Sequence, residues 1–157
     1  MNTITAAVLC AAMVSAQIPR AKYACTHTKQ VVKECKKHKL DPIVFVSLIS
    51  VESNWRPHVV SYANACGLTQ VIPKWSRGWT CKQLKNPKTS IKVGSRILGY
   101  WLHKYAKGNY YTALCGYNAG FRCKGKNPIK HGKQYAKKVM KTATRIMYHT
   151  EEKSEKR

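Results

Sequence analysis

"DPIVFVSLISVESNWRP", residues 41–57, decides how the chain is read. Asp41 followed by Pro42 marks a helix start. The carboxylate caps a free amide, and proline at the first helical position lacks only an amide that would have no partner. Ile43 to Val51 is then apolar nearly all round, so the helix belongs in a core. Pro57 stops any continuation. At the far end stands one acid, Glu52, in a chain with 6 Asp and Glu against 29 Lys and Arg.

The other acids have simpler duties. Glu34 sits among lysines in "KECKK" and reads as a surface charge. Asp41 is a cap, and Glu151, Glu152 and Glu155 lie in the polar tail "HTEEKSEKR". Burial at a helix end would raise the pKa of Glu52 and keep it protonated near neutrality, the state a general acid needs. The competing reading is a helix-end residue that faces solvent or pairs with Arg56 four residues on. Glycosidases with two carboxylates hold them about 5–5.5 Å or 6.5–9.5 Å apart. Asp41 lies about 16 Å back along the same helix. A mechanism with one acid, and a nucleophile inside the substrate, suits this poverty better.

Working outward, 157 residues suffice for one domain with its own core, and neither a repeat nor a Gly/Ser linker divides them. Lys22–Lys39 has helical apolar spacing at Ala24, Val31, Val32 and Cys35. Residues 54–72 read as a long loop. Lys88–Lys107 is the clearest amphipathic helix, with Ile91, Gly94, Leu98, Trp101, Leu102 and Tyr105 on one stripe. Tyr110–Tyr117 is a short helix, stopped by Asn118-Ala119-Gly120. Tyr135, Val139, Thr142 and Ile146 mark a last helix, and the tail beyond it reads as frayed. The fold class is predominantly α.

"MNTITAAVLCAAMVSA", residues 1–16, carries no charged side chain and ends in a small-residue pattern. It reads as a secretory signal peptide cut after Ala16, although its start lacks the usual Lys or Arg. The expected organisation is a signal at 1–16, a domain at 17–147 and a charged tail at 148–157. Loss of Cys10 would leave Cys25, Cys35, Cys66, Cys81, Cys115 and Cys123, an even set that reads as disulfides of open pairing. Neither a C-x-x-C nor an H-E-x-x-H motif occurs, and no metal or cofactor is implied. "GFRCKGKN", residues 120–127, approaches a P-loop, but Asn127 stands where magnesium needs Ser or Thr, and no apolar strand precedes it.

Four further features converge. Glu52-Ser53 is followed nine residues after the acid by Ser61. "GLTQ" occupies residues 67–70, "GYNAG" residues 116–120, and Tyr135 begins "YAKKV". In this order and at this spacing the chain resembles the soluble lytic transglycosylases, goose-type-lysozyme-like enzymes of bacteria and phages that cleave peptidoglycan. The resemblance covers about residues 25–145. It implies a lysozyme-like α+β fold with a buried catalytic helix and a glycan cleft. It implies that Glu52 protonates the bond between N-acetylmuramic acid and N-acetylglucosamine, then as a base takes the proton of the muramoyl C6 hydroxyl. That hydroxyl closes on C1 to a 1,6-anhydro end. By matching, Ser61 would bond the substrate and Gln70 would line the cleft. Tyr117 would hold Glu52 or the glycan, and Tyr135 would point its hydroxyl at Glu52. Asn118 would contact the glycan or order its loop, with a helix C-cap an equal alternative. Gly67, Gly116 and Gly120 can also be plain turn residues.

The chain departs from the family pattern at Thr69, where methionine is usual. Loss of that flexible apolar wall would alter how the glycan packs. It departs also at Gly116, in place of alanine. Cys66 and Cys115 stand directly beside two motifs.

A hydrolytic lysozyme of the same fold is the nearest rival, separated by its reducing product end. A cationic binder of envelope or nucleic acid is the rival of another class. The net charge of +23 and the run Lys124, Lys126, Lys130, Lys133, Lys137, Lys138 and Lys141 suit an anionic partner. No nucleic-acid motif is present and the export signal argues against one, so the basic surface is expected to hold anionic envelope polymers. The expected protein is a monomer of the periplasm or outer cell envelope, acting on glycan strands.

Overall fold

The computed structural model describes residues 4–125 and 127–151. Its central element is helix α4, Pro42–Ser53, in which every residue from Ile43 to Ser50 is buried. Asp41 caps it as expected, its carboxylate accepting from the Ile43 amide at 2.7 Å. The serines of this apolar run return their hydroxyls to carbonyls one turn back: Ser47 to Ile43, Ser50 to Val46 and Ser53 to Ile49. A polar atom thus enters the core without losing its partner.

Seven further α-helices complete the described fold. They are α1 (Ala6–Ser15), α2 (Ala21–Cys25), α3 (Thr28–His38), α5 (Cys81–Leu84), α6 (Pro87–Tyr100), α7 (Tyr110–Ala119) and α8 (Lys130–Glu151). α8 lies on α4 and on α7, α3 on α6 and α4, and α1 on α8. Among the described residues β structure is confined to isolated bridges, Val60 with Cys66 and Cys66 with Val71. The predominantly α fold class is therefore what the chain adopts. No helix among the described residues is long and apolar enough to cross a membrane.

Several expectations change. The Lys22–Lys39 helix breaks at Thr26-His27, where the Thr26 and Thr28 hydroxyls bond the carbonyls of Tyr23 and Cys25. The Lys88–Lys107 helix is α6 followed by a π turn, Trp101–Tyr105, closed by the Ala106 amide on the Trp101 carbonyl at 2.8 Å. Glu34 is not a surface charge: it is buried, 3.8 Å from His38 on the same helix. The last helix runs through His149 and Thr150 to Glu151, while Glu152 and Glu155 fall outside the described residues.

The cysteine expectation also needs correction. The bridges are Cys10–Cys25, Cys66–Cys81 and Cys115–Cys123, and Cys35 is a buried free thiol. Cys10 belongs to α1, whose Leu9, Ala12 and Met13 are buried. A cut after Ala16 would remove that helix and leave Cys25 without its partner.

Candidate active site

α4 ends at the wall of a cleft of about 1200 Å³, and Glu52 opens into it. The left-handed Asn54 ends the helix at φ 49°, so the chain turns away and leaves the carboxyl at the rim of the core. The Tyr135 hydroxyl, from α8, donates to Glu52 Oε1 at 2.6 Å. Desolvation pushes the Glu52 pKa up from 4.5 to about 7, against the Tyr135 hydrogen bond and the Lys138 charge, which lower it. One side of the carboxyl meets solvent through the cleft, yet protein surrounds the rest closely. Arg56 does not pair with it, since its guanidinium turns back to the Ser53 carbonyl at 3.0 Å. Among the described residues lining the cleft, Glu52 is the sole acid.

The other expected residues converge on the same place, with some duties exchanged. Ser61, Gln70, Tyr117 and Asn118 all line the cleft. Ser61 Oγ accepts from the Ala65 amide at 3.1 Å and keeps its proton for another partner. Gln70 is tied down, its side-chain amide donating to the carbonyls of Val59 at 3.1 Å and Gly67 at 2.9 Å. Tyr117 donates to the Thr69 carbonyl at 2.8 Å rather than to Glu52. Burial holds the Tyr117 and Tyr135 phenols well above their ordinary pKa, so both remain donors. Asn118 is exposed in the last turn of α7, and the C-cap is Gly120 at φ 71°.

Both departures have physical reasons. Thr69 is fully buried and its hydroxyl bonds Ser90, through the carbonyl at 3.0 Å and Oγ at 2.9 Å. It locks the loop to α6 and does not itself line the cleft. Gly116 is no turn residue but lies inside α7 against the Trp101 ring; a Cβ there would sit 2.5 Å from Trp101 Cε3. Gly67, at φ 79°, does need glycine, because a Cβ would meet the Leu84 carbonyl oxygen at 2.0 Å.

Sequence reasoning missed Ser53 as a clamp: its hydroxyl reaches the Leu68 carbonyl at 2.8 Å and ties α4 to the "GLTQ" loop. It also missed the aromatic wall. Trp101, Tyr105 and Phe121 pack ring against ring at 4.9–5.5 Å, Tyr105 edge to face with both others, and Trp101 and Phe121 line the cleft. The stripe spacing placed Trp101 in the core, and the π turn, which has no sequence signal, brings it to the cleft. In the P-loop-like stretch, Gly120–Cys123 is a 3-10 turn tied to α7 by the Cys115–Cys123 bridge. Lys126 lies outside the described residues.

Comparison with known proteins gives the family and the fold. The model of a family described as the transglycosylase SLT domain matches residues 30–141. The chain is similar to a membrane-bound lytic murein transglycosylase C of Actinobacillus pleuropneumoniae serotype 5b, 30% identical over 107 residues, 57% of this chain and 29% of the relative. The chain thus spans under a third of such relatives' length. An inactive mutant of the lytic transglycosylase Slt from Pseudomonas aeruginosa superposes with a TM-score of 0.70 at 20% identity, over 80% of this chain and 24% of the other. The 70 kDa soluble lytic transglycosylase of Escherichia coli gives 0.70 at 18%, over 89% and 29%. At these identities the two structures speak for the fold.

Proposed function

The chain belongs to the transglycosylase SLT domain family, and on that footing we propose that it is a peptidoglycan lytic transglycosylase with Glu52 as its only catalytic carboxyl. The observation that carries this is a single acid, its pKa pushed up to about 7 by burial and its carboxyl held by Tyr135, in a cleft where no other described residue is acidic.

The neutral Glu52 gives its proton to the glycosidic oxygen between N-acetylmuramic acid and N-acetylglucosamine, and the bond to muramoyl C1 breaks. The resulting carboxylate takes the proton of the muramoyl C6 hydroxyl as that oxygen closes on C1. The acid ends protonated, a 1,6-anhydro end forms, and no water is consumed. A pKa near 7 suits both halves of this exchange. In this reading Ser61 and Asn118 contact the glycan and Tyr135 aims the carboxyl. Gln70 and Tyr117 position the loop and α7 that form the wall.

The same proposal places the protein in the cell envelope, where three disulfides are supported. The Cys10–Cys25 bridge supports a form in which the N-terminal helix stays with the enzyme.

The test is mass spectrometry of muropeptides released from purified sacculi. Products one water lighter than reducing muropeptides are expected. Reducing ends would make the enzyme a lysozyme and require a site for the attacking water.

A further inference from the structure

The cleft that holds one acid also carries a bank of cations. Lys37 and Lys39 come from the end of α3, Arg96 from α6, Lys104 from the π turn, and Arg77 from the loop before α5. These elements are packed together: the His103 ring meets the His38 carbonyl at 2.9 Å, and Arg96 Nη2 donates to the Ser76 carbonyl at 2.6 Å. Among the described residues the one ion pair is His38 with Glu34, and it accounts for none of these five side chains. Burial lowers the His38 pKa most, and against Glu34 the neighbouring Lys37, Arg96 and His103 lower it further; burial likewise lowers that of Arg96, and Arg77 adds to it. A helix C-terminus explains a cation or two at the end of α3. It does not explain Arg77, Arg96 and Lys104 converging from other elements. Like charges gathered in a groove repel one another and focus a positive potential where a ligand lies.

The substrate proposed above has a neutral sugar backbone. Its negative charge sits on the peptide stems borne by the muramoyl units. Beside the cations stand two aromatic rings open to solvent, Trp75 at 65% exposure and Tyr100 at 46%, which suit the flat faces of sugar rings. Aromatic platforms and unpaired cations in one groove fit a ligand that is part sugar and part carboxylate.

We propose that this bank of Lys37, Lys39, Arg77, Arg96 and Lys104 binds the carboxylates of stem peptides, so that the substrate is a peptide-bearing strand with free carboxylates and not naked glycan. The proposal rests on the transglycosylase reading and specifies its substrate.

The experiment compares initial rates of the full chain on three substrates from one phosphate-free sacculus preparation: native strands, strands stripped of stems by an amidase, and strands whose stem carboxylates are chemically amidated. Native strands are expected to be cleaved about tenfold faster than either other, the worth of a few surface ion pairs. Added salt should shrink that ratio. The variant Lys37→Gln/Arg77→Gln/Lys104→Gln, all at exposed positions, should bring the ratio towards one. Its melting temperature checks that it folds. Equal rates on all three substrates would overturn this proposal and leave the transglycosylase reading standing. A preference that survives amidation, or survives in the variant, would also overturn it. Cleavage of none would sink the transglycosylase reading itself.

Discussion

Glu52 combines a cost in stability with a use in chemistry. Its pKa is 4.5 when free and about 7 in the fold. Between those values the folded chain keeps a proton that the unfolded chain has released, so stability falls as pH rises through that window. Above about 7 both states are ionised and the penalty is constant. Glu52→Gln removes the charge and can still accept from Tyr135. It should abolish cleavage and raise stability at pH 8 by on the order of 2–3 kcal/mol, with little gain at pH 4. Thermal melts at the two pH values measure this, and a gain equal at both would contradict it. Wild-type activity should decline as pH rises past about 7, as the acid loses its proton. Tyr135→Phe deletes the hydrogen bond that favours the carboxylate, so the Glu52 pKa climbs further and the alkaline limb of the pH–rate profile moves up. The maximal rate should drop about tenfold to a hundredfold through loosened aim. An unmoved limb would mean that Tyr135 only packs.

At the scale of elements, α7 and the π turn depend on each other through Gly116 and Trp101. Gly116→Ala should destabilise by about 1–3 kcal/mol, measured by denaturant unfolding, and Trp101→Leu in the same chain should restore much of it by making room. Two losses that simply add would show that the pair is not coupled. Removal of residues 1–16 should lower the melting temperature, because it strips Leu9 and Met13 from α8 and opens a bridge worth about 2–4 kcal/mol. Intact mass of exported protein decides whether cells make that shorter form. Much of this level was legible beforehand. The Asp41 cap, the all-apolar α4, the stripe on α6 and the order of motifs each follow from local rules. The failures share one cause, that sequence spacing reports neighbours along a helix and not across the fold. Glu34 reads as exposed because its sequence neighbours are lysines, whereas α4 and α6 packing on α3 buries it. Thr69 reads as a cleft residue because its loop is, whereas Ser90, distant in sequence, turns it inward.

For the molecule as a whole, +23 in 157 residues is too large a charge to ignore in a polyanionic matrix. Lys130, Lys137, Lys138 and Lys141 lie on the solvent face of α8, away from the cations of the cleft in sequence and in element. Binding of Glu52→Gln to sacculi should therefore weaken steeply with salt, measured by sedimentation. Binding indifferent to salt would leave that surface without this role.

The three bridges also bear on how the chain matures. They join Cys10 to Cys25, Cys66 to Cys81 and Cys115 to Cys123, so no loop overlaps another and each pair consists of near neighbours in sequence. A chain threaded N-terminus first through a membrane presents each cysteine shortly before its proper partner and well before the next pair. If the chain is exported as proposed, vectorial oxidation yields the native pairing without reshuffling. The odd thiol, Cys35, emerges between the first pair and the second and is the nearest source of error. Formation of α3 against α4 buries it and raises its pKa, denying it the thiolate form that attacks disulfides.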